Sequence, residues 1–172
     1  MMKKTNVLYL TQAAMVAALY VVLTWVSATL GLASNAIQCR LGEALCILPL
    51  FMSAAVPGLG VGCFVSNLLF SPEPLDWIFG TLATVLGALA CYWLGRALRS
   101  RKLPVLVLGT LPNVIANTVI VPLVLRYAYH LEDALWLLAL QVGLGELISG
   151  TVLGVALALA LPKTLQKRLA DQ

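Results

Sequence analysis

Apolar residues in this chain come in long blocks divided by short polar clusters, not at the short periods of a soluble helix or strand. Residues 7–32 are interrupted only by Thr11, Gln12, Thr24, Ser27 and Thr29, and the block runs out at Ser34-Asn35. Three further blocks, 76–98, 103–126 and 133–161, are each long enough at about 1.5 Å per residue to cross about 30 Å of hydrocarbon. Residues 41–69 are ambiguous. They can form one long helix or two short ones, because Pro57-Gly58, followed by Gly60 and Gly62, removes a helical hydrogen bond and weakens the helix locally.

Charge separates the two models. With six spans, Lys3, Lys4, Arg96, Arg99, Arg101, Lys102, Lys163, Lys167 and Arg168 share one face and only Arg40 and Arg126 lie opposite, nine against two. With five spans the division is eight against three, so the excess of cations on the cytoplasmic side favours six. Six spans also gather Arg40, Glu43, Glu73, Asp76, Glu132 and Asp133 around one outer mouth, whereas five put Asp76 on the opposite side from Glu43. The expected fold is an all-α membrane protein, a six-transmembrane-helix bundle with both termini cytoplasmic. Its expected spans are about 7–32, 41–56, 58–70, 76–98, 103–126 and 133–161, in a single domain covering 1–172.

Composition agrees with lipid as the main solvent. Of 172 residues 61% are hydrophobic and 10% charged, and the mean hydropathy is +0.96, far from the roughly 25% charged residues of soluble domains. The net charge of +4 follows from topology and not from nucleic-acid binding, since the basic residues flank apolar blocks and form no stripe with aromatics. Cys39, Cys46, Cys63 and Cys91 show neither a CxxC nor a paired metal spacing and are expected to be free thiols. The positive amino terminus precedes an apolar run too long for a signal peptide, which predicts an uncleaved helix.

Several polar residues admit both a structural and a functional reading. Ala13, Ala14, Ala17 and Ala18 make a doubled small-xxx-small pattern that suits internal packing or a partner helix, and Gly58 with Gly62 and Gly150 with Gly154 suit internal packing. Arg40 and Glu43, three apart, are an interfacial ion pair or two ligand contacts, with Glu43 favoured at a helix start and Arg40 offering a planar fork. Asp76 is an N-cap or the wall of a groove, since Asp76, Gly80, Ala83 and Gly87 share one small face. Trp77 is an interfacial anchor or a stacking surface. Asn113 and Asn117, between Pro112 and Pro122, bond other helices or line a cavity, and Asn67 raises the same alternatives. His130 belongs to a solvated loop.

Glu146 stands apart. It is the one acid deep within an apolar block, where a charge costs from a few to more than about ten kcal/mol and therefore faces a cavity, partner or ligand. Gly143 and Gly150 lie on its face and leave space, and no cation is expected at its depth. There is no metal cluster, no Ser-His-Asp set and no nucleotide-binding glycine loop in the sequence, so no catalytic residue, metal or cofactor is expected.

Together, Gln38-Cys39-Arg40-Leu41-Gly42-Glu43-Ala44-Leu45, Val56-Pro57-Gly58 with Gly62-Cys63 and Ser66-Asn67-Leu68-Leu69, Leu75-Asp76-Trp77-Ile78-Phe79-Gly80-Thr81-Leu82-Ala83-Thr84, and Gly145-Glu146-Leu147 resemble the QueT family. Its members are substrate-binding S components of energy-coupling factor transporters, assigned to queuosine precursors. The likeness covers nearly the whole chain, and the short segment Phe70 to Pro74 with its two prolines departs from it at the outer lid.

The resemblance implies a protein of a bacterial-type cell membrane that captures a small metabolite outside. It would rely on a transmembrane coupling protein and two ATPase subunits, and Ala13-xxx-Ala17 is similar to the coupling motif of such a first helix. The implied ligand is a 7-deazaguanine-like compound, with Arg40, Glu43, Asn67, Asp76, Trp77, Asn113, Asn117 and Glu146 as candidate contacts. Glu146 or Glu43 would take paired N–H donors, Arg40 or an asparagine would address the carbonyl, the remaining acid would balance an aminomethyl group, and Trp77 or a tyrosine would stack. The alternatives are an S component for another flat vitamin-like compound, a proton-coupled secondary transporter using Glu146, and a non-transporting scaffold. An intramembrane enzyme lacks a nucleophile and base.

Overall fold

The computed structural model describes residues 4–32, 39–98, 102–162, 164 and 166, with side chains from residue 7 onward. Lys3, Ser34-Asn35, Gln38, Arg99, Arg101, Lys163, Lys167 and Arg168, on which part of the topology and motif argument rests, lie outside the described residues. Among those described every regular element is helical: α1 (Lys4–Thr29), a 3-10 helix (Leu41–Leu50), α2 (Ala55–Phe70), α3 (Pro74–Leu98), α4 (Leu103–Tyr127), α5 (Leu135–Glu146), a π-helical stretch (Leu147–Leu153) and α6 (Gly154–Ala160).

Four helices are long and apolar enough to cross a membrane, Val7–Thr29, Pro74–Leu98, Leu103–Tyr127 and Leu135–Ala160. The last is one rod made of α5, the π turn and α6. Outward positions such as Leu10, Met15, Ile78, Ile115, Val119, Trp136 and Val152 are exposed and apolar, as a lipid-facing surface requires. The first helix stops earlier than the apolar block suggests. Gly31 adopts φ 70, and the Leu32 and Gly31 amides donate to the Ser27 and Ala28 carbonyls at 2.9 and 3.1 Å, a Schellman ending that glycine permits.

The ambiguous segment departs most from expectation. The break falls at residues 51–54 and not at Pro57-Gly58. Pro57 lies in the first turn of α2, where its missing N–H has no intrahelical carbonyl to reach. The preceding piece is no ordinary lipid-facing span. Gly42 to Leu50 are all buried, and this 3-10 rod is the centre of the molecule, packed against all the other helices except α5. A sequence apolar on every side suits such a site. At about 2 Å rise per residue it reaches roughly 20 Å, short of a bilayer's hydrocarbon core.

Around the rod, α1 packs on α2, α2 on α3, α3 on α4 and α4 on α5. Close approach of α1 and α2 depends on two glycines. A Cβ at Gly58 would sit 2.6 Å from the Ala13 carbonyl, and one at Gly62 3.0 Å from that of Ala17. Gly87 does the same for α3 and α4, where a Cβ would fall 2.5 Å from the Asn113 Cα. The predicted small face of α3, Asp76, Gly80, Ala83 and Gly87, is buried throughout.

Candidate functional site

Two polar clusters meet at one end of the bundle, where the 3-10 helix and α3 begin and α2 and α4 end. Arg40 precedes the 3-10 helix in extended conformation, φ −99 and ψ 106, so it does not share a helical face with Glu43. It turns outward. Its guanidinium donates to Asn67 Oδ1 at 3.2 Å and pairs with Asp76 Oδ2 at 3.7 Å. Asn67 donates in turn to the Asp76 carbonyl at 3.1 Å, fixing the end of α2 against the start of α3. Tyr129, in the loop after α4, donates to Asp76 Oδ2 at 3.4 Å and bonds the Ser71 hydroxyl. Burial above all raises the Tyr129 phenol, and the neighbouring Asp76 adds to it, so it stays a donor at neutral pH.

The inner cluster is held by Glu43, which is 2% exposed. Its Oε1 accepts from the Tyr20 hydroxyl; its Oε2 accepts from Cys46 Sγ at 3.1 Å and Asn113 Nδ2 at 2.9 Å. Three elements are tied by one carboxylate. Asn113 Nδ2 also donates to Glu146 Oε2 at 3.2 Å. Asn117 Nδ2 donates one turn back to the Asn113 carbonyl at 3.1 Å. Glu146 is the last residue of α5, immediately before the π turn, and a Cβ at Gly150 would lie 3.6 Å from its Oε2. Its other oxygen takes no hydrogen bond from any described residue.

Between the clusters lies a cleft lined by Arg40, Glu43, Gly80, Thr84, Asn117, Val121, Val142 and Glu146. Its void is about 10 Å³, room for about one water molecule, so a heterocycle enters only as the walls part. The chemistry is nevertheless defined. One cation and two carboxylates face a space whose remaining walls are Thr84, Asn117, two valines and a glycine.

A family model for the QueT transporter matches residues 10–163. The chain belongs to the QueT transporter family. No curated protein matches it, and no solved structure does. Membership makes it a multi-pass membrane protein and a transporter, not an enzyme, with a small molecule as its cargo. The cleft is then the one place in this QueT chain where described charged groups from the 3-10 helix and α5 converge.

Of the eight residues that the sequence nominates, Arg40, Glu43, Asn117 and Glu146 line the cleft, and Asn113 bridges its two acids. Asn67 and Asp76 stand behind Arg40 as its partners. Trp77 does not line it. Its indole N–H donates to the Ser71 carbonyl at 3.0 Å, so it fastens the α2–α3 turn. His130 is exposed with φ 54, and all four cysteines are free.

Tyr20, Cys46 and Thr84 belong to the site although the spacing arguments do not nominate them. Tyr20 does carry a signal. It shares a face with Thr24 and Ser27, and that stripe holds the 3-10 helix, with Ser27 Oγ accepting from the Leu41 amide at 2.7 Å. Thr84 follows Asp76 and Gly80 at intervals of four. The alanine pattern of α1 divides between two faces: Ala13 is buried and Ala17 half-buried against α2, while Ala14 and Ala18 are exposed.

Proposed function

We propose that this QueT family member is an S component that captures a 7-deazaguanine-type queuosine precursor at its outer face and passes it inward with an ATP-driven module. The observation that carries the reading is the Glu146 carboxylate. It is buried in the cleft with one oxygen unengaged, opposite Arg40. The guanine-like edge of such a ring offers paired N–H donors to that carboxylate, and its carbonyl accepts from Arg40 or Asn117. Val121 and Val142 provide apolar walls and Gly80 a flat one, a role that falls to them because Trp77 lies elsewhere.

In this reading the chain crosses the bilayer six times with both termini cytoplasmic, the 3-10 helix making one crossing together with the non-helical residues 39–40 and 51–54 that flank it, and α2 another. The Arg40–Asp76 contact supports it, since it joins the starts of the 3-10 helix and α3 at one end. The transmembrane coupling protein docks on the exposed Ala14 and Ala18 of α1, and two ATPases act beyond it.

Uptake of a labelled 7-deazaguanine by cells expressing the chain is expected to require the coupling protein and ATPases and to survive collapse of the proton gradient. Uptake without that module, lost with the gradient, would instead identify a secondary transporter. Ala14→Leu with Ala18→Leu is expected to lower uptake at least about tenfold, equivalent to about 1.4 kcal/mol, with ligand affinity kept. Ala13→Leu with Ala17→Leu is expected to reduce the yield of folded protein, because Ala13 is buried in the core and the backbone at both positions lies against the glycines of α2.

A further inference from the structure

The Oε2 atoms of Glu43 and Glu146 accept from the same amide nitrogen, at 2.9 and 3.2 Å. They therefore lie at most two hydrogen-bond lengths apart, both buried. Like charges this close in a poorly hydrated site do not both ionise. The neighbours relieve them only in part. From the 3-10 region, Arg40 faces the pair but is engaged by Asn67 and Asp76, and Cys39 and Cys46 bring no positive charge. α1 brings Tyr20, α2 brings Cys63, and α3 brings Thr84 with Asp76 on the far side of Arg40. α4 contributes the amides of Asn113 and Asn117 and no ionisable group, and α5 only Glu146 itself.

The geometry points to a carboxylate pair that holds one proton in the ligand-free protein, carried by Glu146, and gives it up when ligand binds. The division between the two acids follows from their donors. Glu43 accepts three hydrogen bonds, from Tyr20, Cys46 and Asn113. Glu146 accepts from Asn113 alone. Resting on the function proposed above, a ligand that presents paired N–H donors requires two acceptor oxygens on Glu146, and an aminomethyl cation on its ring compensates the second negative charge. The acid O–H bond then breaks, the proton leaves to solvent, and the carboxylate keeps the electron pair. Binding accordingly strengthens as pH rises through the range in which Glu146 loses its proton.

Infrared spectroscopy of the ligand-free protein tests the resting state without any ligand. A protonated-carboxyl C=O band is expected at neutral pH in the native protein and should be lost in both Glu43→Gln and Glu146→Gln. Loss of the band in both variants assigns it to this pair. No band in the native protein, or a band that survives in Glu43→Gln, overturns the shared proton. Calorimetry with an aminomethyl-7-deazaguanine in phosphate and in Tris then counts protons. About one released per ligand in the native protein is expected; equal heats in the two buffers overturn the exchange. Absence of any binding by this compound overturns the ligand proposal, while the infrared result still decides the proton.

Discussion

Glu146→Ala is expected to weaken binding of a 7-deazaguanine at least about 100-fold while leaving the melting temperature within a few degrees of the native value. The reasoning is local. The carboxylate takes one bond from the protein, at 3.2 Å from Asn113, so its removal disturbs little of the fold. The ligand, however, loses an acceptor for two N–H groups, and hydrogen bonds to charged groups contribute about 1.5–3 kcal/mol each. Glu146→Gln keeps one acceptor oxygen and replaces the other with a donor, so an intermediate loss of roughly tenfold is expected. Titration calorimetry on both variants measures this, and unchanged affinity in both would remove Glu146 from the site.

Glu43→Ala is expected to behave in the opposite sense, destabilising the whole bundle by a few kcal/mol, since each buried donor left without an acceptor costs about 1–3 kcal/mol. Three donors lose their acceptor at once, the Tyr20 hydroxyl, the Cys46 thiol and one of the two bonds of the Asn113 amide. All three side chains are buried. These donors sit on α1, the 3-10 helix and α4, so the joint between three elements opens together. Glu43→Gln retains an acceptor oxygen and should recover part of the loss. Thermal melting in detergent separates the three proteins. An alanine variant that melts with the native protein would show that Glu43 does not hold the elements together.

The contrast between these two acids could not be read from the sequence, and the reason is physical. Depth within an apolar block singles out Glu146, because desolvation is a property of position along a span. Glu43 looks interfacial by the same measure, at the start of a short segment. It becomes the most buried acid only because residues 41–50 form a central 3-10 rod, a choice made by tertiary packing on all sides. The long spans were legible almost to the residue, as with 103–126 against Leu103–Tyr127 and 76–98 against Pro74–Leu98. Their ends are marked by charge and proline. At Pro57 the same rule misleads, since proline starts a helix as readily as it ends one.

Partners across space were the harder part. Spacing along one helix put Asn113 beside Asn117 and Gly80 beside Asp76, and both hold. It could not show that Arg40 would leave Glu43 for Asp76, because Arg40 is extended and belongs to no helix. Nor could it place Trp77, whose indole reaches back to Ser71 and away from the cleft. The stripe of Tyr20, Thr24 and Ser27 was present as spacing, at intervals of four and three, and its meaning lay in the rod that it grips.

The central claim is that the polar cleft between the 3-10 helix, α3, α4 and α5 grips a flat heterocycle through Glu146. Mass spectrometry of small molecules released from the detergent-purified protein, after growth with 7-deazaguanine precursors, tests it most directly. A 7-deazapurine in near-equimolar amount from the native protein and none from Glu146→Ala is the predicted result. Equal recovery from both, or no heterocycle from the native protein, would contradict the account.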